Sequence, residues 1–221
     1  MRVSDRAYAT LKRLQIWTGV VPVGLFLLSH LATNARAIAG AAVFDRTAEA
    51  IGRIPGLTAI EVVAIALPML LHVALGVALG TTGQAAGDER GYPRPWMLLA
   101  QRATGFYLVI YVVFHVWGTR LSPERLAGDA DLFAHMARRL RHPGVLAFHM
   151  AGVLAAAYHL GNGLVALAGP WGLDAGLRGR ALAARIGLAA FIVLSLVGML
   201  ALLAFVSPSF RWLEPHRMIA P

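Results

Sequence analysis

Residues 14–35, LQIWTGVVPVGLFLLSHLATNA, run from Arg13 to Arg36 without a charged side chain. A helix needs about 20 mostly apolar residues to cross the roughly 30 Å hydrocarbon core of a bilayer, so this stretch is long enough to span it. It exceeds the usual apolar length of a cleavable signal peptide and lacks a convincing cleavage site. The stretch therefore predicts a membrane-spanning helix close to the start of the chain.

Four more apolar windows follow the first. We predict membrane spans at residues 14–35, 59–82, 97–119, 143–168 and 186–208, with kinks tolerated at Pro22 and Pro68. No connection is long enough for a second domain, so residues 1–221 are predicted to form a single membrane domain. The connection at 121–133 predicts a short amphipathic helix up to Arg141. The predicted fold class is an all-α integral membrane protein with five transmembrane helices, the first four forming a bundle.

The composition excludes most other classes of protein. Of the 221 residues, 58% are apolar and only 14% are charged, against roughly 25% charged in an average soluble domain. With no cysteine, the chain itself cannot form disulfides, zinc–thiolate sites or iron–sulfur clusters. The net charge of +9 comes from basic residues in every connection, which favours contact with lipid phosphates over a nucleic-acid partner. With ten basic residues on each side, the charge count does not fix the orientation.

Five of the eight histidines lie inside the apolar windows: His30, His72, His115, His149 and His159. An ionisable side chain at that depth is costly unless it has a partner, so each one is a functional candidate as well as a candidate for a buried structural role. Four of them occur once each in the first four spans, separated by 42, 43 and 44 residues. This regular spacing is a stronger signal than any single histidine.

Consecutive spans run in opposite directions, so a residue past the middle of each helix alternates between the two halves of the membrane. His30 and His115 are therefore expected near one face, and His72 and His159 near the other. Two imidazoles from different helices at one depth are what a b-type haem requires as axial ligands. The sequence predicts two haem b groups whose irons, with both axial positions filled, transfer electrons rather than bind oxygen.

Other interpretations of four membrane histidines fit less well. A zinc or copper cluster needs its ligands within about 2 Å of a common metal, whereas these histidines divide into two layers. A proton relay normally includes intramembrane carboxylates, and Glu61 lies only at the edge of a span. Small residues that suit a bulky planar cofactor occur nearby, although the spacing of the second pair equally fits close helix packing: Gly19 and Gly24, Gly76 and Gly80, Gly161 and Gly163.

Four stretches carry a family resemblance: LKRLQIWTGVVPVGLFLLSHLATN at 11–34, IPGLTAIEVVAIALPMLLHVALGV at 54–77, RPWMLLAQRATGFYLVIYVVFHVWGTRL at 94–121 and GVLAAAYHLGNGL at 152–164. They closely resemble the cytochrome b subunit of succinate:quinone oxidoreductases, in the single-anchor, five-helix, dihaem form found with Bacillus-like succinate dehydrogenases and dihaem fumarate reductases. The resemblance covers roughly residues 11–206 and includes the order and spacing of the four histidines.

The resemblance implies a function and partners. His72 and His159 would hold a proximal haem, and His30 and His115 a distal haem. A flavoprotein subunit and an iron–sulfur subunit would dock on the cytoplasmic face of a bacterial inner membrane, and the N-terminus would be cytoplasmic. Electrons would pass to a quinone, most simply menaquinone, gaining roughly 2.3 kcal/mol per 100 mV as they move toward the positive face. Fumarate reduction in the opposite direction, a haem b anchor of a hydrogenase or formate dehydrogenase, and a haem-free scaffold stay open as alternatives.

The sequence departs from the family pattern at two positions. Ala157 stands where some dihaem fumarate reductases carry a proton-conducting Glu, which favours succinate oxidation. His149 stands where an aromatic residue is expected. Ten residues along a helix rotate about 280°, so His149 and His159 do not share a face. For His149 three roles stay open: packing, contact with a quinone or haem propionate, and ligand exchange with His115.

Haem propionates are anions that need donors at the membrane edge. Candidates at the cytoplasmic ends of the spans in the family orientation, which equally fit simple anchoring of helix ends, are Arg13, Gln15, Trp96, Gln101 and Arg102. Asn34, one turn after His30, is the candidate contact for a distal quinone. For His135, His142 and His216, which lie in the connections or the tail, exposure to solvent is the expectation.

Overall fold

The computed structural model describes residues 4–81, 95–126, 131–172 and 176–214, and within these ranges every regular element is a helix. Five helical stretches are long and apolar enough to cross a membrane: Asp5–Ala39, Leu57–Gly80, Trp96–Arg120, Pro143–Ala168 and Gly176–Val206. This confirms the predicted all-α membrane fold with five transmembrane helices. His216 lies outside the described residues.

The first two spans are each assembled from shorter helices. The first consists of α1 (Asp5–Thr18), a π-helical turn at Gly19–Val23, α2 (Gly24–Asn34) and a 3₁₀ turn at Ala35–Ala39. After α3 (Ala41–Gly52), the second span consists of α4 (Leu57–Ile60), a π-helical turn at Glu61–Ala66 and α5 (Leu67–Gly80). The remaining helices are α6 (Pro95–Arg120), α7 (Pro123–Leu126), α8 (Leu132–Leu140), α9 (Pro143–Ala168) and α10 (Gly176–Val206).

The two π-helical turns coincide with the two prolines inside the spans. Pro22 lies within the turn at Gly19–Val23, and Pro68 is the second residue after the turn at Glu61–Ala66. Proline has no backbone N–H to donate and its ring clashes with the carbonyl four residues earlier. A wider turn absorbs both defects because the regular hydrogen-bond ladder is already interrupted there.

Helix α1 begins before the apolar window of the first span. The side chain of Ser4 accepts a hydrogen bond from the backbone N–H of Ala7 at 3.3 Å and so caps the helix. Charged residues mark where the hydrocarbon region ends, but a helix ends only where its backbone geometry changes, which is why α1 continues from Asp5 into the span.

The chain packs into two compact units, and each contains parts of several long helices. Unit 1 consists of Met1–Leu27, Thr58–Phe106 and Ala156–Ile192, and unit 2 of Leu28–Leu57, Tyr107–Ala155 and Val193–Pro221. His72 and His159 lie in unit 1, whereas His30, His115 and His149 lie in unit 2. Each unit therefore contains one of the two histidine pairs proposed from the sequence.

Unit 1 is held together by close helix contacts. Helix α1 packs along α5. Helices α9 and α10 approach so closely that a Cβ atom on Gly161 would lie 2.5 Å from the carbonyl oxygen of Gly187. The backbone separation of α9 and α10 therefore depends on the absence of side chains at these two glycines.

Unit 2 has an aromatic core to which three helices contribute. The rings of Phe44 in α3, Phe133 in α8 and Phe205 in α10 have centroids 4.9–6.0 Å apart, and Leu140 is only 1% exposed. The backbone N–H of Phe133 donates to Asp45 Oδ1 at 2.9 Å, which joins α3 to α8. Helix α8 confirms the short amphipathic helix expected before Arg141, whereas α3 had no counterpart in the sequence analysis.

The expectation that His135 is solvated is wrong. His135 lies on the inner face of α8, is 3% exposed, and its Nε2 is 2.9 Å from the carbonyl oxygen of Gly118. A connection that folds into an amphipathic helix buries one face, and in α8 that face contains Phe133, His135, Met136 and Leu140. His142 is exposed, as expected.

Candidate functional site

Two pairs of imidazoles, one in each unit, are the main feature of the membrane region. In unit 1 the ring centroids of His72 in α5 and His159 in α9 are 6.0 Å apart, with an interplanar angle of 84°. In unit 2 the centroids of His30 in α2 and His115 in α6 are 5.7 Å apart, with an angle of 89°. The structure thus brings together the four histidines that the sequence singled out, in the pairs that it proposed.

The ring separations fit two imidazoles that share one metal ion. A metal–imidazole bond is about 2 Å long and the ring centre lies about 1.1 Å beyond the nitrogen, so ligands on opposite sides of a metal have centroids about 6 Å apart. Across the described ranges, no three histidine or carboxylate side chains are grouped to bind one metal ion. The two histidine pairs each offer two imidazole donors, which suits a b-type haem.

In unit 1 both imidazoles have hydrogen-bond partners at Nδ1. His72 Nδ1 lies 2.7 Å from the backbone oxygen of Gln15, and His159 Nδ1 lies 3.3 Å from Thr104 Oγ1. Histidines that bind metals commonly donate their second N–H to a carbonyl or another acceptor, which fixes the ring and the tautomer. Both contacts are of this kind, and both leave Nε2 as the available lone pair.

Two glycines lie against the imidazoles of unit 1. A Cβ atom on Gly19 would overlap the ring of His72, and a Cβ atom on Gly105 would lie 2.9 Å from His159 Cε1. Gly19 is one of the glycines predicted from the sequence to suit a planar cofactor, whereas Gly105 is not. The available signal was a glycine inside an apolar helix, which costs about 1 kcal/mol relative to alanine and usually has a packing reason.

The other proposed glycines have different neighbours. A Cβ atom on Gly24 would meet Leu160, one on Gly76 would meet the side chain of Gln15, and one on Gly163 would meet Val20. A Cβ atom on Gly80 would have open space around it, within the described residues. These glycines therefore make helix contacts or none, and only Gly19 among those proposed touches a paired imidazole.

In unit 2 the imidazole pair has a different environment. The Asn34 amide donates to the backbone oxygen of His30 at 2.8 Å and lies 3.2 Å from His30 Nε2. His115 Nδ1 is buried and makes no hydrogen bond within the ranges that the structure describes. Tyr111 stacks on His115 with a centroid separation of 5.5 Å and an angle of 23°. Asn34, proposed as a quinone contact, thus lies directly beside a predicted haem ligand.

His149 is a third imidazole in unit 2. It is 2% exposed, its ring centroid is 5.7 Å from that of His115, and it also contacts Tyr111 and Phe114. Its Nδ1 lies 2.8 Å from the backbone oxygen of Val145, so Nδ1 is the donor and Nε2 carries the lone pair. The contacts place His149 next to a proposed ligand and leave its packing, quinone and exchange roles open.

Arg139 in α8 is not among the residues predicted from the sequence to line a site. Its guanidinium lies against Gly118 and 5.9 Å from the ring centroid of Phe114, one residue from His115. Its Nε is buried and makes no hydrogen bond within the described part of the chain. Arg139 is half-buried, and an Nε–H donor in this position suits an anion such as a haem propionate.

The residues proposed as propionate donors occupy different positions. Gln101 donates to the backbone oxygen of His159 at 3.2 Å and accepts from Asn162 Nδ2 at 3.1 Å. Trp96 is 53% exposed and its ring lies 6.5 Å from that of Tyr158. Arg13 and Arg102 are exposed, and the backbone oxygen of Gln15 lies 2.7 Å from His72 Nδ1. Propionate binding by these residues stays a prediction.

Asp45, which lies outside the membrane spans, has a raised pKa. Burial and the negative charge of Asp131 raise the pKa of the Asp45 carboxyl, while the hydrogen bond from the backbone N–H of Phe133 opposes this shift. The α3–α8 contact in unit 2 therefore contains a carboxyl that loses its proton at a higher pH than an exposed aspartate does.

One protein of known function is similar to this chain along most of its length. The succinate dehydrogenase cytochrome b558 subunit of Bacillus subtilis (strain 168) is 36% identical over 195 residues, which cover 88% of this chain and 96% of the relative. No protein-family model matches the sequence. No solved structure matches it either.

Proposed function

We propose that this chain, which belongs to the family of succinate dehydrogenase cytochrome b subunits, holds two b haems and passes electrons through them to a membrane quinone. As a member of this family it is the membrane subunit of an oxidoreductase complex, and its five apolar helices provide the anchor. The proposal adds the number of haems, their ligands and the quinone.

The observation that carries the proposal is the placement of one imidazole pair in each unit, each contributed by two different helices. His72 and His159 would hold one haem, and His30 and His115 the other. A haem with two axial imidazoles supplies a one-electron carrier without an open position for oxygen. The protein contributes the ligand orientation, the Gly19 and Gly105 surfaces beside the rings in unit 1, and Arg139 as a donor toward a propionate in unit 2.

The partners and orientation complete the proposal. A flavoprotein subunit that oxidises succinate and an iron–sulfur subunit would supply electrons from the cytoplasmic side of the bacterial inner membrane. The N-terminus would be cytoplasmic, and menaquinone is the proposed acceptor, with Asn34 and His149 as its candidate contacts. Ala157, which is 1% exposed, places a methyl group where some fumarate reductases carry a carboxylate, and this favours succinate oxidation.

The haem content of the purified complex tests the proposal. We expect two b haems per chain in a reduced-minus-oxidised spectrum combined with a haem assay. His72→Ala or His159→Ala should remove one haem, and His30→Ala or His115→Ala the other. His142→Ala, which changes an exposed histidine, is the matched control and should keep both. A colourless chain in the assembled complex would leave the haem-free scaffold as the better interpretation.

A further inference from the structure

Thr104 Oγ1 lies within hydrogen-bonding distance of three atoms. It is 2.7 Å from the backbone oxygen of Ala100, 3.1 Å from that of Gln101 and 3.3 Å from His159 Nδ1. A hydroxyl has one proton, and a carbonyl oxygen can only accept. The short contact to Ala100 therefore takes the hydroxyl proton, and a lone pair of Thr104 remains for His159.

This arrangement determines which nitrogen of His159 carries the proton. Because Thr104 Oγ1 is an acceptor toward the ring, His159 Nδ1 must be the donor, and Nε2 is left unprotonated. His72 has the same tautomer for a similar reason, since its Nδ1 lies 2.7 Å from the backbone oxygen of Gln15. The two imidazoles differ in one respect: the acceptor for His72 is part of the main chain, whereas the acceptor for His159 is a side chain that can be replaced.

The turn of α6 that carries Thr104 also holds the backbone of α9 near His159. Gln101, three residues before Thr104, donates to the carbonyl oxygen of His159 at 3.2 Å and is itself held by Asn162, which is 4% exposed. These two bonds position the main chain of the histidine, and the Thr104 hydroxyl acts on the ring alone. Replacing that hydroxyl therefore changes the imidazole without removing the backbone contacts.

We propose that Thr104 is a positioning residue that sets the tautomer and the basicity of the His159 imidazole and thereby lowers the reduction potential of the haem shared with His72. The inference rests on the proposed function. An acceptor at Nδ1–H makes an imidazole a more basic ligand, and a more basic ligand favours the oxidised iron. Nothing in the sequence pattern of the four histidines indicates this role.

The test is a spectroelectrochemical titration of both haems in the complete complex carrying Thr104→Val. Valine keeps the shape of the side chain and lacks the hydroxyl. We expect both haems to be retained and one to become easier to reduce by roughly tenfold in its equilibrium, which is about 59 mV for a one-electron couple. The shifted haem should be the one that His72→Ala removes. Electron paramagnetic resonance of the oxidised complex should show altered g values for that haem alone.

Two further variants make the result specific. Thr104→Ser retains the hydroxyl and should restore the original potential. Thr47→Val is the matched control and should change neither haem, because the Thr47 hydroxyl donates to the backbone oxygen of Val43 in α3 at 2.8 Å, away from both imidazole pairs. If Thr104→Val loses a haem that Thr104→Ser keeps, the role of the hydroxyl is also supported. A loss shared by both variants would show that the site needs threonine only for packing and would overturn the inference.

The inference and the proposed function fail in different ways. A complex with two haems in which Thr104→Val titrates like the unchanged protein, or shifts both haems equally, contradicts the role of Thr104 alone. An unchanged complex with fewer than two b haems contradicts the proposed function itself.

Discussion

The two imidazole pairs have nearly the same ring separation but different surroundings. In unit 1 His72 and His159 each face a hydrogen-bond acceptor at Nδ1, and glycines lie against both rings. In unit 2 His115 has no such acceptor within the described residues and is instead packed between Tyr111 and a third imidazole, His149. The backbone positions of the helices set the separation, whereas the neighbouring side chains set the tautomer, the room and the polarity of each pair. Two sites with the same ligands are thereby expected to differ in their properties.

The largest expected effect concerns the glycines that lie against the imidazoles of unit 1, Gly19 and Gly105. Gly19→Leu places a side chain where the His72 ring lies, so the imidazole must move or the helices must separate. We expect the haem of the His72 and His159 pair to be lost and the haem of the His30 and His115 pair to be retained. The measurement is a haem assay with redox difference spectra.

A matched control for this change is available in the same unit. Gly80→Leu introduces the same side chain at a helix position where a Cβ atom would meet nothing within 4 Å among the described residues. It should keep both haems. Full haem content and unchanged potentials in Gly19→Leu would show that the contact with Gly19 does not shape the site.

A smaller effect is expected at the third imidazole of unit 2. His149→Phe keeps an aromatic ring beside Tyr111 and removes the bond to Val145, whose loss should cost about 1 kcal/mol. Both haems should remain, because His115 is the proposed ligand. Haem content should therefore fall equally in His115→Ala and in the double variant His115→Ala with His149→Phe. Retention of haem in His115→Ala that disappears in the double variant would instead identify His149 as an exchangeable ligand.

The smallest effect concerns the α3–α8 contact. Because the pKa of Asp45 is raised in the folded protein, the folded state holds this proton more tightly than the unfolded chain. The stabilisation is complete below the unfolded pKa and is lost as the pH rises through the folded pKa. Asp45→Asn, which keeps an oxygen acceptor for Phe133, should remove this pH dependence and change the melting temperature by less than about 2 °C.

Thermal unfolding in detergent, from a pH below the ordinary pKa of an aspartate up to neutral pH, measures this difference. Glu49→Gln is the control, because Glu49 is exposed and pairs only with Arg53 within the described part of α3. A pH dependence of the Asp45→Asn protein equal to that of the unchanged protein would contradict the assignment to Asp45.

Much of the fold could be predicted because its determinants are visible along one dimension. The interval between charged residues gives the number of spans, and the direction of successive spans places residues at alternating depths. His30, His72, His115 and His159 could be paired on that basis alone. The burial of His135 could not be predicted, because it depends on which face α8 turns inward after a stretch with no apolar window.

The sequence by itself determined five membrane-length helices and four histidines at regular spacing, since length, hydropathy and depth follow from counting residues. Only the tertiary structure decided that Gly105 and Thr104 face His159 and that Arg139 lies beside Gly118. The reason is geometric. Each residue turns a helix by about 100°, so a small axial rotation exchanges one neighbour for another without changing the hydropathy pattern.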